Sequence, residues 1–326
     1  MFLYPIADTH TDFLSTSRDT HTPLNCSMEQ QGQLSLPALR KGGVRYQMFA
    51  AFIDQSLPIA PSIRCLQLID DYYRMLDMWG GAAAPLTRSQ IDSPTQSDCI
   101  GTVLSIEGGE ACEGHLELLR IYYQLGVRAM ALLWNYENEI GYPAKLTEYA
   151  DRGLKPFGRA CVKEMNRIGM AVDVSHLNEK GFWEAYDLSE RPLFASHSDA
   201  KALCMHPRNL TDEQIRAIIR QKGYIGLNFF TPFLVDQGPS TLDDLVRHAL
   251  YILDLGGEDV LGFGSDFDGI DDMPEGMHGA QDFQLVVQAL ERAGVDRATM
   301  EKITHGNFLR YIRPFLAESS NNKTII

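Results

Sequence analysis

Short apolar segments rich in β-branched residues recur eight times along this chain, each followed by a stretch of helical character, and this alternation constrains the fold more than any other feature. The segments lie at 2–9, 44–53, 100–106, 127–133, 170–175, 192–196, 224–229 and 259–265. Between them run amphipathic stretches such as PSIRCLQLIDDYYRMLDMW, GHLELLRIYYQLG, PFGRACVKEMNRIG, TDEQIRAIIRQKG and TLDDLVRHALYILDLGG. Several open on Pro, Ser, Thr or Asp and close on Gly, the residue types that start and stop helices. Strand-then-helix repeated eight times predicts an α/β chain folded as a (β/α)8 TIM-like barrel, with a doubly wound open sheet as the structural competitor. With no internal repeat and no low-complexity linker, residues 1–326 read as a single domain.

A barrel places its chemistry at the C-terminal ends of its strands. The reactive residues of this chain fall there: His10 and Asp12 after the first segment, Glu107 after the third, His176 after the fifth, His197 after the sixth and Asp266 after the eighth. His10 and Asp12 are two apart at the end of an apolar run, so on an extended backbone an imidazole nitrogen and a carboxylate oxygen converge on one side, as a divalent metal requires. Taken alone, the pair reads as a capping histidine and a helix N-cap. Glu107, in TVLSIEGGEA, ends a strand and can offer one oxygen to each of two metals, while Gly108 and Gly109 let the backbone turn and leave room. The other reading of Glu107 is a solvated acid at a strand end, and each histidine taken singly is a hydrogen-bonded core residue.

Together these five ligands exceed what one tetrahedral zinc needs, so the count predicts two Zn2+ per chain about 3.5–4 Å apart, sharing Glu107 and a hydroxide. Such a centre serves hydrolysis. Asp266, in VLGFGSDFDGI, is placed to take a proton from water and hand it to a leaving amine, while Asp268 takes a turn or supporting role. Arg208 and Asn209, in MHPRNLTDEQI, precede a helix capped by Thr211; Arg208 either grips a substrate carboxylate bidentately or closes the loop with a salt bridge. His21, His115, His248, His278 and His305 read as surface or supporting residues, and His206 stays ambiguous. Residues 135–156 read as a long loop over the barrel mouth and 15–43 as a second irregular flap.

The net charge of −14 disfavours nucleic acid and anionic membranes as partners. The scattered Cys26, Cys65, Cys99, Cys112, Cys161 and Cys204 fit neither a zinc ribbon nor a disulfide framework. No run reaches the roughly 18 apolar residues of a membrane span, the start carries no charged-then-apolar leader, and SSNNKTII is a polar tail rather than a lipid-anchor signal. These readings predict a cytoplasmic protein.

With these residues in place, the chain resembles the bacterial-type members of the membrane dipeptidase (renal dipeptidase-like) family, peptidase family M19. The resemblance runs nearly end to end, through DTHTD, SIEGGEA, YQLGVRAMALLWN, FGRACVKEMNRIGMAVDVSH, PLFASHSDAKALCMHPRNLTDEQI, GFGSDFDGI and GNFLRYI. It implies a barrel of the metal-dependent hydrolase type in which His10 and Asp12 bind one zinc, His176 and His197 the other, and Glu107 bridges. It further implies Asp266 as acid/base, Arg208 as anchor of a dipeptide carboxylate, little side-chain selectivity, tolerance of a C-terminal D-residue, and a homodimer. Mammalian-type members carry a substrate-contacting histidine where this chain has Trp134, so oxyanion stabilisation shifts to a metal or to Asn135, and Trp134, Asn135 and Asn209 join the substrate-binding set. The competing expectations are a hydrolase of another small amide, lactam or lactone, and a catalytically silent zinc-binding scaffold.

Overall fold

Parallel strands β1 (Ile6–Asp8), β2 (Val44–Phe52), β3 (Ala83–Pro85), β4 (Ile100–Glu107), β5 (Val127–Ala131), β6 (Ala171–Asp173), β7 (Phe194–Ala195), β8 (Tyr224–Leu227) and β9 (Leu261–Phe263) build one sheet in the order β2-β1-β9-β8-β7-β6-β5-β4-β3. The structure is a computed structural model describing residues 4–24, 32–92 and 98–318. β2 also pairs with β4, from Tyr46 opposite Gly101 to Phe52 opposite Glu107, and this contact closes eight strands into a barrel. The ninth, β3, is absent from the sequence reading because Ala-Ala-Pro carries no β-branched signature. It pairs with Ile100–Thr102 of β4, on the edge that β5 occupies from Leu104 onward.

Helix boundaries follow the start and stop chemistry of the sequence. Pro61–Trp79 and Pro156–Ile168 begin on proline and end at the left-handed glycines Gly80 and Gly169, while Thr211 and Gln214 form the capping box of Asp212–Gln221. The flap read over 15–43 is in part regular. Helices Phe13–Asp19 and Leu36–Gly42 occupy it, the second capped by Ser35 accepting from the Ala38 amide; the stretch 25–31, with Cys26, lies outside the described residues. Residues 135–156 do form a loop with a single 3-10 turn, Thr147–Tyr149. It is pinned by Asn138, whose amide donates to Glu110 and to the Leu132 carbonyl, and by the Ala144 amide on the His176 carbonyl.

Apolar packing divides into two layers. The larger layer lies between barrel and helices. The smaller draws one residue from each of seven strands, Ala7, Met48, Val103, Ala129, Ala171, Phe194 and Tyr224, and packs them against Phe308, Tyr311, Ile312 and Phe315 of the C-terminal segment. Phe194 stacks on Tyr311 at 5.1 Å, so this segment plugs the barrel from the strands' N-terminal side and leaves the other mouth for polar groups. Among the described residues no disulfide forms, and no helix is long and apolar enough to cross a membrane.

The mouth is drawn together around the carbonyl of Ser196. Thr9 Oγ1 lies 2.6 Å from it, and a Cβ at Gly226 or Gly264 would fall 2.1 or 1.8 Å from the same oxygen. Backbone cannot yield as a flexible side chain does, so Gly264→Ala is expected to destabilise the fold by about 1–3 kcal/mol or more. Urea unfolding checks this; an unchanged midpoint would show that the strand ends separate freely.

Candidate active site

His10 and Asp12 leave the end of β1 together. Asp12 does precede the helix Phe13–Asp19, yet its side chain makes no capping hydrogen bond. Instead Asp12 Oδ2 lies 3.6 Å from His10 Nε2, which disposes of the capping reading of this pair. Glu107 closes β4, and the two glycines after it are needed: Gly108 has φ of 105°, and a Cβ at Gly109 would fall 2.7 Å from the Leu132 carbonyl oxygen. His176 and His197 follow β6 and β7, and Asp266 follows β9. His176 and Asp266 adopt φ of 69° and 68°, a left-handed conformation that L-residues hold at a cost of about 1–3 kcal/mol and that clusters at functional sites.

These six side chains meet. The Glu107 carboxylate divides between two sides, with Oε2 at 3.3 Å from His10 Nε2 and Oε1 at 2.9 Å from His176 Nε2 and 3.5 Å from His197 Nε2. Asp266 Oδ1 lies 3.7 Å from His10 Nε2, nearly the Asp12 distance, so Asp266 stands at the rim of the same cluster rather than apart from it. His10, Glu107 and His197 form one triplet of atoms close enough to hold a cation, and His10, Asp12 and Asp266 form another.

The donor set fits a metal on several counts. His10 Nε2 and Asp12 Oδ1 are buried without a hydrogen-bond partner. A Cβ at Gly269 would come within 2.1 Å of Asp12 Oδ2 and 2.8 Å of Asp266 Oδ1, so only glycine leaves these oxygens their space. Imidazole nitrogens mixed with carboxylate oxygens suit zinc and its neighbours. The far ring nitrogens of His176 and His197 are also held, as suits metal-binding imidazoles: His176 Nδ1 by Asn135 Oδ1 at 3.1 Å, His197 Nδ1 by Ser196 Oγ at 2.7 Å.

Arg208 is buried, and among the described residues it makes no ion pair; the loop-closing salt bridge does not form. One terminal nitrogen donates to the His197 carbonyl at 3.2 Å, the guanidinium lies 5.3 Å from the Phe233 ring centre, and Nε has no partner. Asn209 gives its side-chain N–H groups to the Cys204 and Phe233 carbonyls, tying the loop down, and its Oδ1 is buried without a partner. Asn135 is spent on His176. Trp134 is half-buried with its ring 6.4 Å from that of His176. Asp268 takes its turn role, accepting from the Gln33 amide at 2.7 Å. His206 stacks on Phe233 at 4.5 Å, and His248, read from sequence with the surface or supporting histidines, is fully buried between the Ala200 amide and the Leu234 carbonyl. Sequence reasoning missed Asn228, which donates to Asp266 Oδ2 at 2.9 Å and accepts the Phe230 amide. The signal was present: Asn228 is the polar residue within the seventh apolar segment, directly after the strand Tyr224–Leu227.

Burial dominates the electrostatics. It pushes Glu107 up to about 8 against the attraction of His10, and Asp266 up to about 6. For His10 burial opposes the charged form, but Glu107 and Asp12 outweigh it and hold the imidazole well above its usual range; the His10–Glu107 pair therefore keeps a proton into mildly alkaline solution. Burial, with Arg208 and His10, holds His176 and His197 well below the usual range. Burial also lowers Arg208 to about 10, against Asp266 and Glu107.

Groups raised on folding stabilise the fold at low pH and lose that contribution as pH rises through the folded value. The two lowered imidazoles act in the opposite sense only below their unfolded value of about 6.5. Between pH 6.5 and 8 the His10–Glu107 pair is therefore left to act, and chelated protein is expected to lose thermal stability over that window. Added divalent metal should restore more at pH 8 than at 6.5; a chelated melting temperature that rises across the window would contradict the proton-holding pair.

With the geometry in place, comparison with known proteins is informative. The family model for membrane dipeptidase, peptidase family M19, matches residues 2–324. An uncharacterized dipeptidase of Schizosaccharomyces pombe is 31% identical over 331 residues, covering 94% of this chain and 80% of that protein. A dipeptidase of Aspergillus oryzae is 29% identical over 329 residues, with 94% and 77% covered. The crystal structure of a metallopeptidase from Rhodobacter sphaeroides, liganded with a phosphinate mimic of the dipeptide L-Ala-D-Ala, superposes with a TM-score of 0.87 at 28% identity over 95% of this chain and 98% of that one. From its first barrel strand to the helix that plugs the barrel, this chain belongs to the membrane dipeptidase family, peptidase family M19.

Proposed function

We propose that the chain is a metal-dependent dipeptidase that holds two zinc ions and hydrolyses the single peptide bond of a dipeptide, including those with a C-terminal D-residue. The observation that carries this reading is the divided Glu107 carboxylate, one oxygen toward His10 and the other toward His176 and His197. His10 and Asp12 would hold one ion, His176 and His197 the other, and Glu107 both. When bound, such ions supply Lewis acidity toward a carbonyl oxygen and make water nucleophilic near neutral pH.

The chain's own groups account for the rest. Arg208 receives the substrate carboxylate, since it is buried, charged and has an unused N–H. That contact fixes which end of the peptide enters and brings the scissile carbonyl over the imidazole cluster. Asn228 holds Oδ2 of Asp266, leaving Oδ1 turned to the cluster, where it accepts a proton from water and returns it to the departing amine. Asn135 and Ser196 fix the ring orientations of His176 and His197. We place the protein in the cytoplasm as a homodimer; the buried thiols of Cys65, Cys112, Cys161 and Cys204 support a reducing compartment, and the family relation supports the dimer.

The decisive experiment loads the purified protein with zinc and offers L,L-, L,D- and D,D-dipeptides beside N-acyl amino acids and lactones. Turnover confined to the dipeptides is expected; turnover of only the other amides or lactones would assign a different hydrolase, and none at all a silent scaffold. Asp266→Asn should retain its metal, by elemental analysis, while kcat falls by roughly 10²–10⁴; loss of metal would make Asp266 a ligand. Arg208→Met should lower kcat/KM on dipeptides by about 10–100-fold, the scale of a lost charged hydrogen bond, and have little effect on dipeptide amides, which lack the carboxylate. An equal loss on both would remove Arg208 from carboxylate binding.

A further inference from the structure

Three aromatic rings form a row along one side of the barrel mouth. Phe52 ends β2 and Trp134 follows β5; their ring centres are 4.7 Å apart and edge to face. Tyr136 continues the row at 5.2 Å from Trp134, and it is 40% exposed although large and aromatic. Its middle ring approaches the imidazole–carboxylate cluster, with Trp134 6.4 Å from His176. Trp134 and Tyr136 thus lead from that cluster to solvent.

Strand order fixes where this row lies relative to Arg208. Around the closed barrel the sequence is β1, β2, β4, β5, β6, β7, β8, β9. The aromatic row spans the arc from β2 to β5, centred on β4, whereas Arg208 and Phe233 belong to the loops after β7 and β8, on the facing arc. A dipeptide extends over only about 7 Å. With its carboxylate on Arg208 and its scissile carbonyl over the imidazoles, its N-terminal residue is directed to the aromatic row. On the Arg208 side Phe233 is 7% exposed and covered by the Arg208 guanidinium and the His206 imidazole, and Phe230 packs edge to face on it at 5.1 Å.

We infer that Phe52, Trp134 and Tyr136 form the subsite for the side chain of the N-terminal residue, and that this enzyme prefers dipeptides whose N-terminal residue is large and apolar or aromatic. The inference rests on the dipeptidase reading above and departs from the broad side-chain tolerance that the family resemblance implies. Apolar contact with three ring faces gives discrimination on the order of tenfold or more per substrate side chain.

The test compares kcat/KM for Phe-Ala, Ala-Phe and Ala-Ala on the zinc-loaded protein, then repeats it with Trp134→Ala and Tyr136→Ala. Phe-Ala is expected to exceed Ala-Ala by about tenfold or more, with no such gain for Ala-Phe. Both variants should lower the Phe-Ala to Ala-Ala ratio, and Trp134→Phe should keep most of it. Tyr136 is exposed, so its variant folds even if loss of Trp134 disturbs the loop. Equal rates on Phe-Ala and Ala-Ala, a gain on Ala-Phe instead, or an unchanged ratio in the Tyr136 variant would overturn the subsite while leaving the dipeptidase assignment intact. Turnover of none of the three would remove that assignment and the subsite with it.

Discussion

Three carboxylates and three imidazoles share a volume nearly closed to water at the barrel mouth, and the cost of keeping them there governs what surrounds them. An uncompensated buried carboxylate is strongly unfavourable. The chain answers this with divided contacts: Glu107 reaches imidazoles on both of its sides, Asn228 holds one oxygen of Asp266, and the buried Arg208 adds positive potential without pairing to any single acid. What remains uncompensated, His10 Nε2 and Asp12 Oδ1, is the part of the cluster that a cation satisfies.

Such a cluster needs a scaffold that does not relax around it. Below the site, the aromatic plug of Phe194, Tyr224, Phe308 and Tyr311 leaves the barrel interior no freedom to collapse. At the level of the site, Gly226, Gly264 and Gly269 remove the side chains that would hold strand ends and carboxylates apart. Ligands carried at strand ends are held to the geometry of the barrel more tightly than ligands on free loops. The left-handed backbone of His176 and Asp266 shows where the aim of a side chain was kept at the expense of local preference.

The strand-end rule picked out His10, Asp12, Glu107, His176, His197 and Asp266, and they meet because a parallel barrel gathers the residues that follow its strands at one mouth. The same rule applied to Asn228 would have found it as well. Asn209 and Arg208 are adjacent and chemically plausible alike, yet Asn209 gives its N–H groups to loop carbonyls while Arg208 keeps a free N–H. No local pattern separates them, since the difference lies in the carbonyls of Cys204 and Phe233 that fold back over the loop. Which of its two readings, surface or supporting, applies to His248 is likewise not local: the polar groups that satisfy it, Ala200 and Leu234, are far away in sequence.

By itself the sequence determined the α/β alternation, the helix caps and which residues carry ligand chemistry, because each of these depends on local periodicity and on side-chain type. Only the tertiary structure decided that Glu107 divides its oxygens, that Asn135 serves His176, that β3 fills an edge of β4, and that Phe52 meets Trp134 across 82 residues of chain. Those facts depend on distances closed by barrel formation. Covalent order along the chain carries no direct record of them.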